Sequence, residues 1–354
     1  MLRRVGGEIP ASSDRFSPAV EWGANWLAFS HGRAALAWLL GMRKARSAIV
    51  CAYTCPSVPL FFSRRGLCVS MFDVGASTAD VVTVALTLPG PRIVLAPALF
   101  GAPPWLDVLS LETKLEATDV VIIDAGQTAF GHADFEPPSR GAVFSCPRKL
   151  TSLPDGAVLA LGGGIHVEDI SALPLATEAL SLKETARALW ATGDPQHEAE
   201  ALAYNRQSEK CWPDKPHRMQ ARSQILLERL DRRWHSATRR ANRDFLKNAL
   251  QGTIPIWAVD EGTPFCLPVF CSKRDSILAR LSESRIFASA LWPDSVCDPM
   301  LHPVAAWMAA HLVSLPVDQR HDESDMLRTA EKVLTASARL TSPIPERARV
   351  MLSS

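Results

Sequence analysis

No uninterrupted apolar run in this chain approaches the roughly 20 residues that a membrane-spanning helix needs. The opening residues, MLRRVGGEIPASSDRF, carry arginines but no apolar stretch, and read as neither a secretion signal nor an anchor. Charge of one sign is also missing. Lys and Arg number 38 against 37 Asp and Glu, so the formal net charge is +1, which gives no reason to expect nucleic acid or an acidic membrane surface as a partner. The eight cysteines include no C-x-x-C pair, and Cys51 with Cys55 or Cys266 with Cys271 lack the spacing of a zinc site. Most lie in apolar runs such as IVCAY and PVFCS, where a free cysteine behaves as a small hydrophobe. A reducing cytoplasm is the simplest compartment. There is no internal repeat and no low-complexity tract.

What is present is the composition of a globular protein, 47% hydrophobic and 21% charged, in a chain of 354 residues that is long enough for one large domain and a smaller one. Between residues 30 and 161, short runs alternate with helix-like segments. SHGRAALAWLLG predicts a helix capped by Ser30 and stopped at Gly41. SAIVCA, LCVSMFDV, RIVLAPALFG, DVVIIDAG, GAVFS and AVLAL are short, rich in Val and Ile, and bounded by Gly, Pro or Asp. These features predict buried strands of a largely parallel sheet covered on both faces, hence an α/β architecture. From 172 to 250 the spacing turns helical amid many arginines, for which a solvated helix face is the simple account. Strand-like runs return after Gly252, with helical patterns at 274–284, 303–313 and 322–338.

Three groups fall at predicted strand ends. FSHGRAAL is a Gly-containing turn opening a helix, where backbone N–H groups and the helix dipole can hold an anion, with Arg33 as a further donor. In VVIIDAGQTAFG, Asp124 ends a very apolar strand, where a carboxylate is costly without a compensating partner; capping the next helix is the local alternative. Gln127 could reach the same ligand. In FSCPRKLTSLPDG, Ser145 closes a strand and Lys149 follows four positions later. An amine near an anion site and a buried carboxylate suits a Schiff base with pyridoxal phosphate. Each group alone is ambiguous, and their order in the chain strengthens the joint reading. His31 and His132 lie nearby and read first as hydrogen-bonded structural histidines. LALGGGIHVED does not match G-x-G-x-x-G and reads as a loop rather than a dinucleotide site.

With those motifs in order, the chain resembles the DegT-like sugar aminotransferases, a branch of the fold-type I pyridoxal-phosphate enzymes, from about residue 22 to 340. SHGRAAL is similar to the phosphate loop, IIDAGQTAFG to the Asp–Gln cofactor motif, and FSCPRKLTSLPDGAVLAL to the segment of the Schiff-base lysine. CAYTCPSV, LFG and RRANRDFLKNAL resemble further family segments. The resemblance implies an aspartate aminotransferase-like fold: an N-terminal tail (1–20), a large mixed-sheet domain with its linking helices (21–250), and a smaller C-terminal α/β domain (251–354). It implies that Lys149 bonds the cofactor and shuttles the proton, Asp124 keeps the pyridine nitrogen protonated, and Gln127 contacts the phenolic oxygen. Gly32, Arg33 and Ser145 would hold the phosphate. The position of the stacking aromatic falls on Cys55, with Tyr53 two residues earlier. No Gly-Tyr-Asn-like segment follows the lysine; KPHRMQARS stands there, with Arg218 as a candidate substitute. A homodimer transferring an amino group from an amino acid, glutamate by family habit, to a keto-sugar is the implied activity. A non-sugar acceptor, elimination or racemisation, or a non-catalytic descendant of the fold are the alternatives.

Overall fold

The computed structural model describes residues 3–11, 13–18, 25–163, 165, 169–257, 260–295, 297–336 and 343–353. All six runs read as strands form strands, and with Trp26–Phe29 they assemble into one seven-stranded sheet. Its order is Trp26–Phe29, Ala157–Leu161, Ala142–Ser145, Val120–Ala125, Arg92–Pro97, Ser47–Cys51, Cys68–Phe72. The last five are mutually parallel, whereas Ala157–Leu161 runs against Ala142–Ser145, and Trp26–Phe29 against Ala157–Leu161. Helices cover both faces, so the central strands bury almost every side chain and show no apolar–polar alternation. On one face Ile122, Phe144 and Leu159 pack with Leu36 and Leu39 of the helix Gly32–Arg43. On the other, Val94 and Val121 pack with Val81 of Thr78–Leu86 and Met308 of Pro303–His311.

Several boundaries differ from the sequence expectation. The first helix is capped by the extended residue His31, not Ser30, whose hydroxyl instead meets His31 Nδ1 at 2.9 Å. It runs through Gly41, where an added Cβ would meet nothing within 4 Å, and ends at Arg43 with Lys44 in the left-handed region. The pattern at 303–313 splits: Leu312–Pro316 is a strand of a four-stranded antiparallel sheet with Cys266–Phe270, Ile256–Trp257 and Leu352–Ser353. Gly162 and Gly163 follow the strand Ala157–Leu161 directly, and Gly164 lies outside the described residues. Val5–Gly6 pairs in parallel with Ile286–Phe287, which carries the N-terminal segment onto the second half of the chain.

The arginine-rich region forms the helices Thr177–Ala191, Pro195–Cys211, Ala221–Arg229 and Arg232–Leu250. A solvated face does not account for Arg239, which is 2% exposed. Its guanidinium donates to Gln319 Oε1 at 2.9 Å, to the Pro264 carbonyl at 3.0 Å and to the Leu150 carbonyl at 3.4 Å, tying this helix to both sheets. A second polar cluster fixes the N-terminal segment. Lys183, also 2% exposed, lies 3.3 Å from Glu8 Oε2 and 3.3 Å from Glu209 Oε1, and also donates to Asn205. Arg148 donates twice to Glu209, at 2.8 and 3.2 Å, and lies over the Trp212 ring. Arg187 donates to the carbonyls of Arg148 and Thr151 at 2.7 and 2.8 Å. The turn carrying Arg148 and Lys149 is thereby clamped from the helix side.

Two stability predictions follow from these buried charges. Replacing Lys183 by Met leaves the Glu8 and Glu209 carboxylates short of a cation, and we expect a loss of about 3 kcal/mol in urea denaturation. Asp155, 1% exposed, accepts the Gln220 N–H at 2.9 Å, and burial pushes its carboxyl from 3.8 up to about 6. In that window the folded chain binds more protons than the unfolded one, so stability falls as pH rises from about 4 to about 6. Asp155→Asn should remove this component, on the order of 2 kcal/mol, and flatten the pH dependence of the thermal midpoint relative to the parent.

Candidate active site

Parallel strands deliver their C-terminal ends to one rim, where α/β folds place their ligands. Asp124 is the penultimate residue of Val120–Ala125, and its neighbour strand Ala142–Ser145 leads into the 3₁₀ turn Pro147–Lys149. Asp124 Oδ1 accepts the Gly126 N–H at 3.0 Å. Burial raises its carboxyl pKa, opposed by that N–H and by the positive charge of Lys149. The charge of the amine named from the sequence thus reaches the acid named from it. Lys149 is exposed and opens onto a cavity of about 650 Å³ lined also by Arg4, Lys183, Glu198, Arg239 and Asp318; Asp124 is not part of that lining.

Gln127 is buried and its Oε1 accepts the Phe100 N–H at 2.6 Å. Phe100 sits in the left-handed region at φ 58°, in the short turn Leu99–Gly101, and its carbonyl accepts the Phe265 N–H at 2.8 Å. Gly101, at φ 92°, has no room for a side chain, since a Cβ would come 2.1 Å from the Thr263 carbonyl oxygen. Gln127 thus holds a strained turn beside the rim.

The residues expected at the anion end are arranged differently. Side chains alternate across a strand, and Asp124 lies opposite Phe144 while Ala125 lies opposite Ser145. Phe144 packs with Ile122 and the helix Gly32–Arg43, on the face that Asp124 shares by alternation. Ser145 belongs to the other face, where its hydroxyl meets His132 Nδ1 at 2.8 Å. The side chain beside Gly32 is that of Phe144. A Cβ on Gly32 would meet Phe144 Cε2 at 2.8 Å and Cζ at 2.9 Å, and one on Gly126 would meet Cζ at 3.1 Å. Arg33 is not a free donor either; its Nε lies 2.7 Å from Asp214 Oδ1, and its Nη2 donates to the Trp212 carbonyl at 3.2 Å.

The remaining candidates have partners within the chain. The Cys55 thiol lies 3.0 Å from Ser57 Oγ at the start of the helix Ser57–Arg64. Tyr53 is fully buried against Phe100 and Trp292, with its hydroxyl donating to the Leu291 carbonyl at 2.8 Å. His31 and His132 are buried, which lowers their imidazole pKa, that of His132 to about 3, and keeps them neutral. Arg218 donates to the Leu173 carbonyl at 3.0 Å. Sequence reasoning missed Phe144, Cys146 and Gly126. The parity of strand positions relative to Asp124 was the signal that could have found Phe144.

Among the described residues, no group of three or more His, Cys, Asp or Glu could hold a metal ion, and no helix is long and apolar enough to cross a membrane. No protein-family model matches the chain, and no curated protein matches its sequence. Solved structures do match in shape. S. venezuelae DesV in complex with a ketimine intermediate is 16% identical, with a TM-score of 0.60 over 89% of this chain and 85% of that one. Spr1654 from Streptococcus pneumoniae in its PLP form is 12% identical, with a TM-score of 0.63 over 94% and 92%. The sugar aminotransferase CalS13 from Micromonospora echinospora is 15% identical, with a TM-score of 0.55 over 92% and 99%. The mixed seven-stranded sheet, with its acid and its lysine at adjacent strand ends, has the fold of the sugar aminotransferases.

Proposed function

We propose that this chain is a pyridoxal-phosphate-dependent aminotransferase that moves an amino group from an amino acid, glutamate by preference, to a keto-sugar, with the sugar carried on a nucleotide. The observation that supports the reading is the placement of Asp124 at the end of one strand and of Lys149 in the turn after its parallel neighbour, with the Lys149 charge opposing the burial that raises the Asp124 carboxyl pKa. Likeness to the sugar aminotransferase CalS13 supports the sugar as acceptor. A homodimer in the cytoplasm completes the proposal.

Asp124, Gln127 and Lys149 support the reading at the pyridine end of the cofactor. Asp124 Oδ1 is engaged by the Gly126 N–H, and the carboxylate is the group that would pair with a protonated ring nitrogen. Gln127 has committed its oxygen to Phe100, so its amide nitrogen is what remains for the phenolic oxygen. Lys149 has the exposure that covalent capture of an aldehyde requires. When bound, the cofactor supplies an electron sink that acidifies the donor's α-hydrogen. Lys149 Nζ would take and return that proton, which needs its amine neutral for part of the cycle. The wide cavity beside Lys149 gives the acceptor room, and its balanced lining of Arg4, Lys183 and Arg239 with Glu198 and Asp318 suits a polar rather than an apolar molecule.

The test is a panel of nucleotide-linked keto-sugars and keto acids with glutamate as donor, run on the parent and on Lys149→Ala. We expect the variant to stay folded and to lose transamination by at least about 100-fold. Substantial turnover in the folded variant would remove Lys149 from its role.

A further inference from the structure

We propose that Arg4 is the anion-recognising residue of the cavity beside Lys149, and that the ligand of this cavity carries at least two negative charges. The inference rests on the reading of that cavity as the substrate chamber and deepens it, since it names the group by which the substrate is held. It begins with how the charges of the wall are paired. Arg148 donates twice to Glu209, and Lys183 lies 3.3 Å from Glu209 and 3.3 Å from Glu8. These two cations and two carboxylates satisfy one another. The other carboxylates of the wall, Glu198 and Asp318, are held from outside it. Arg285 donates to Glu198 Oε1 at 2.6 Å, and Arg320 donates to both oxygens of Asp318, at 2.7 and 2.9 Å. By count the wall is close to balance; by pairing it is positive.

Arg4, Lys149 and Arg239 are what the pairing leaves over. Arg239 gives its hydrogen bonds to neutral oxygens, those of Gln319, Pro264, Phe265 and Leu150, so no carboxylate is bonded to its charge. Arg4 is held by the faces of its guanidinium. The guanidinium carbon lies 4.3 Å from the centroid of the Phe287 ring and 5.6 Å from that of Trp190. Among the described residues its acceptor is Glu198 Oε1 alone, at 3.4 Å, the same oxygen that Arg285 holds more closely, and its buried Nε has none.

The backbone beneath Arg4 is fixed as well. Val5–Gly6 pairs with Ile286–Phe287, and the Val5 N–H donates to the Arg285 carbonyl at 3.0 Å. A guanidinium oriented by aromatic faces, with N–H groups uncommitted, is preorganised for the two oxygens of a carboxylate or a phosphate. One such group on Arg4 leaves the charges of Arg239 and Lys149 facing the same cavity, and a second negative charge on the ligand answers them.

Calorimetric titration of the full-length chain as purified, at about 0.15 M salt, tests this with two probes used separately: glutarate for the carboxylate source and inorganic pyrophosphate for the phosphate source. We expect at least one probe to bind at a single site with a dissociation constant below about 1 mM, and the tighter of the two assigns the anionic group. Arg4→Gln should weaken that probe by about 10-fold or more. Glu198→Gln should tighten it by about 3-fold or more, because Arg4 and Arg285 lose the carboxylate they share. Should Arg4→Gln fail to fold, the gain in Glu198→Gln still decides. Binding of neither probe below about 10 mM, or binding that changes by less than about 2-fold in both variants, overturns the inference. No turnover enters these measurements, so that failure leaves the proposed function standing. Expected binding together with transamination that survives in Lys149→Ala would overturn the proposed function and leave this inference in place.

Discussion

The pleat of two neighbouring strands governs everything at the rim. Because Val120–Ala125 and Ala142–Ser145 are parallel and in register, each residue at their ends is committed to one face or the other. Asp124 and Phe144 go to the side of the first helix, and Ala125 and Ser145 to the side of His132. No side-chain rotation can exchange these sets. A shift of register by one residue would put Ser145 beside the helix start, but it would also carry Val143 and the packing of the whole strand to the wrong face. The chemistry available at the rim is therefore decided by the same alternation that builds the core.

The other determinant is a web of buried ion pairs, which acts on the turn after the strand. Arg148 is held by Glu209 and Trp212, while Arg187 takes its carbonyl, so the residue before Lys149 is fixed at both its side chain and its backbone. Glu209 is shared with Lys183, which reaches Glu8 near the N-terminus. Opposite charges of both partners lower the Glu209 carboxyl well below the ordinary range, despite the cost of burial. Such clusters contribute less to net stability than to geometry, because desolvation offsets most of the attraction. Here the geometry concerned is the direction in which Lys149 leaves the fold.

Most of this architecture was legible in the sequence because it is written locally. Short Val- and Ile-rich runs between Gly, Pro and Asp marked the six strands, and the apolar strand ahead of Asp124 marked a carboxylate out of the ordinary. What the sequence did not show has a common cause in partners far away in the chain. Arg33 looked like a free cation until Asp214, 181 positions on, took its guanidinium. Gln127 looked ready for a ligand until Phe100 engaged its oxygen. Ser145 was chosen for its chemistry, and the strand pairing sets its hydroxyl beside His132. Arg239 was read as solvated because nothing near it in sequence announces Gln319 or the Pro264 carbonyl. Gly41 misled for the opposite reason: it faces open space, so nothing in the tertiary structure needs the helix to stop there.

The peptide unit of Phe100 has a mechanical meaning beyond its strained angles. Its N–H is gripped by Gln127, three residues past Asp124 on the large sheet, and its carbonyl by Phe265, one residue ahead of the small-sheet strand Cys266–Phe270. Gly101 then lets the two backbones touch without an intervening side chain. Phe100 is thus one of several joints between the halves of the molecule, beside the Arg239 guanidinium and the hydroxyl of Tyr53 on the Leu291 carbonyl. Evolution could vary the outer loops of either half freely, while drift at this junction would tilt one sheet against the other and misalign the acid with everything opposite it.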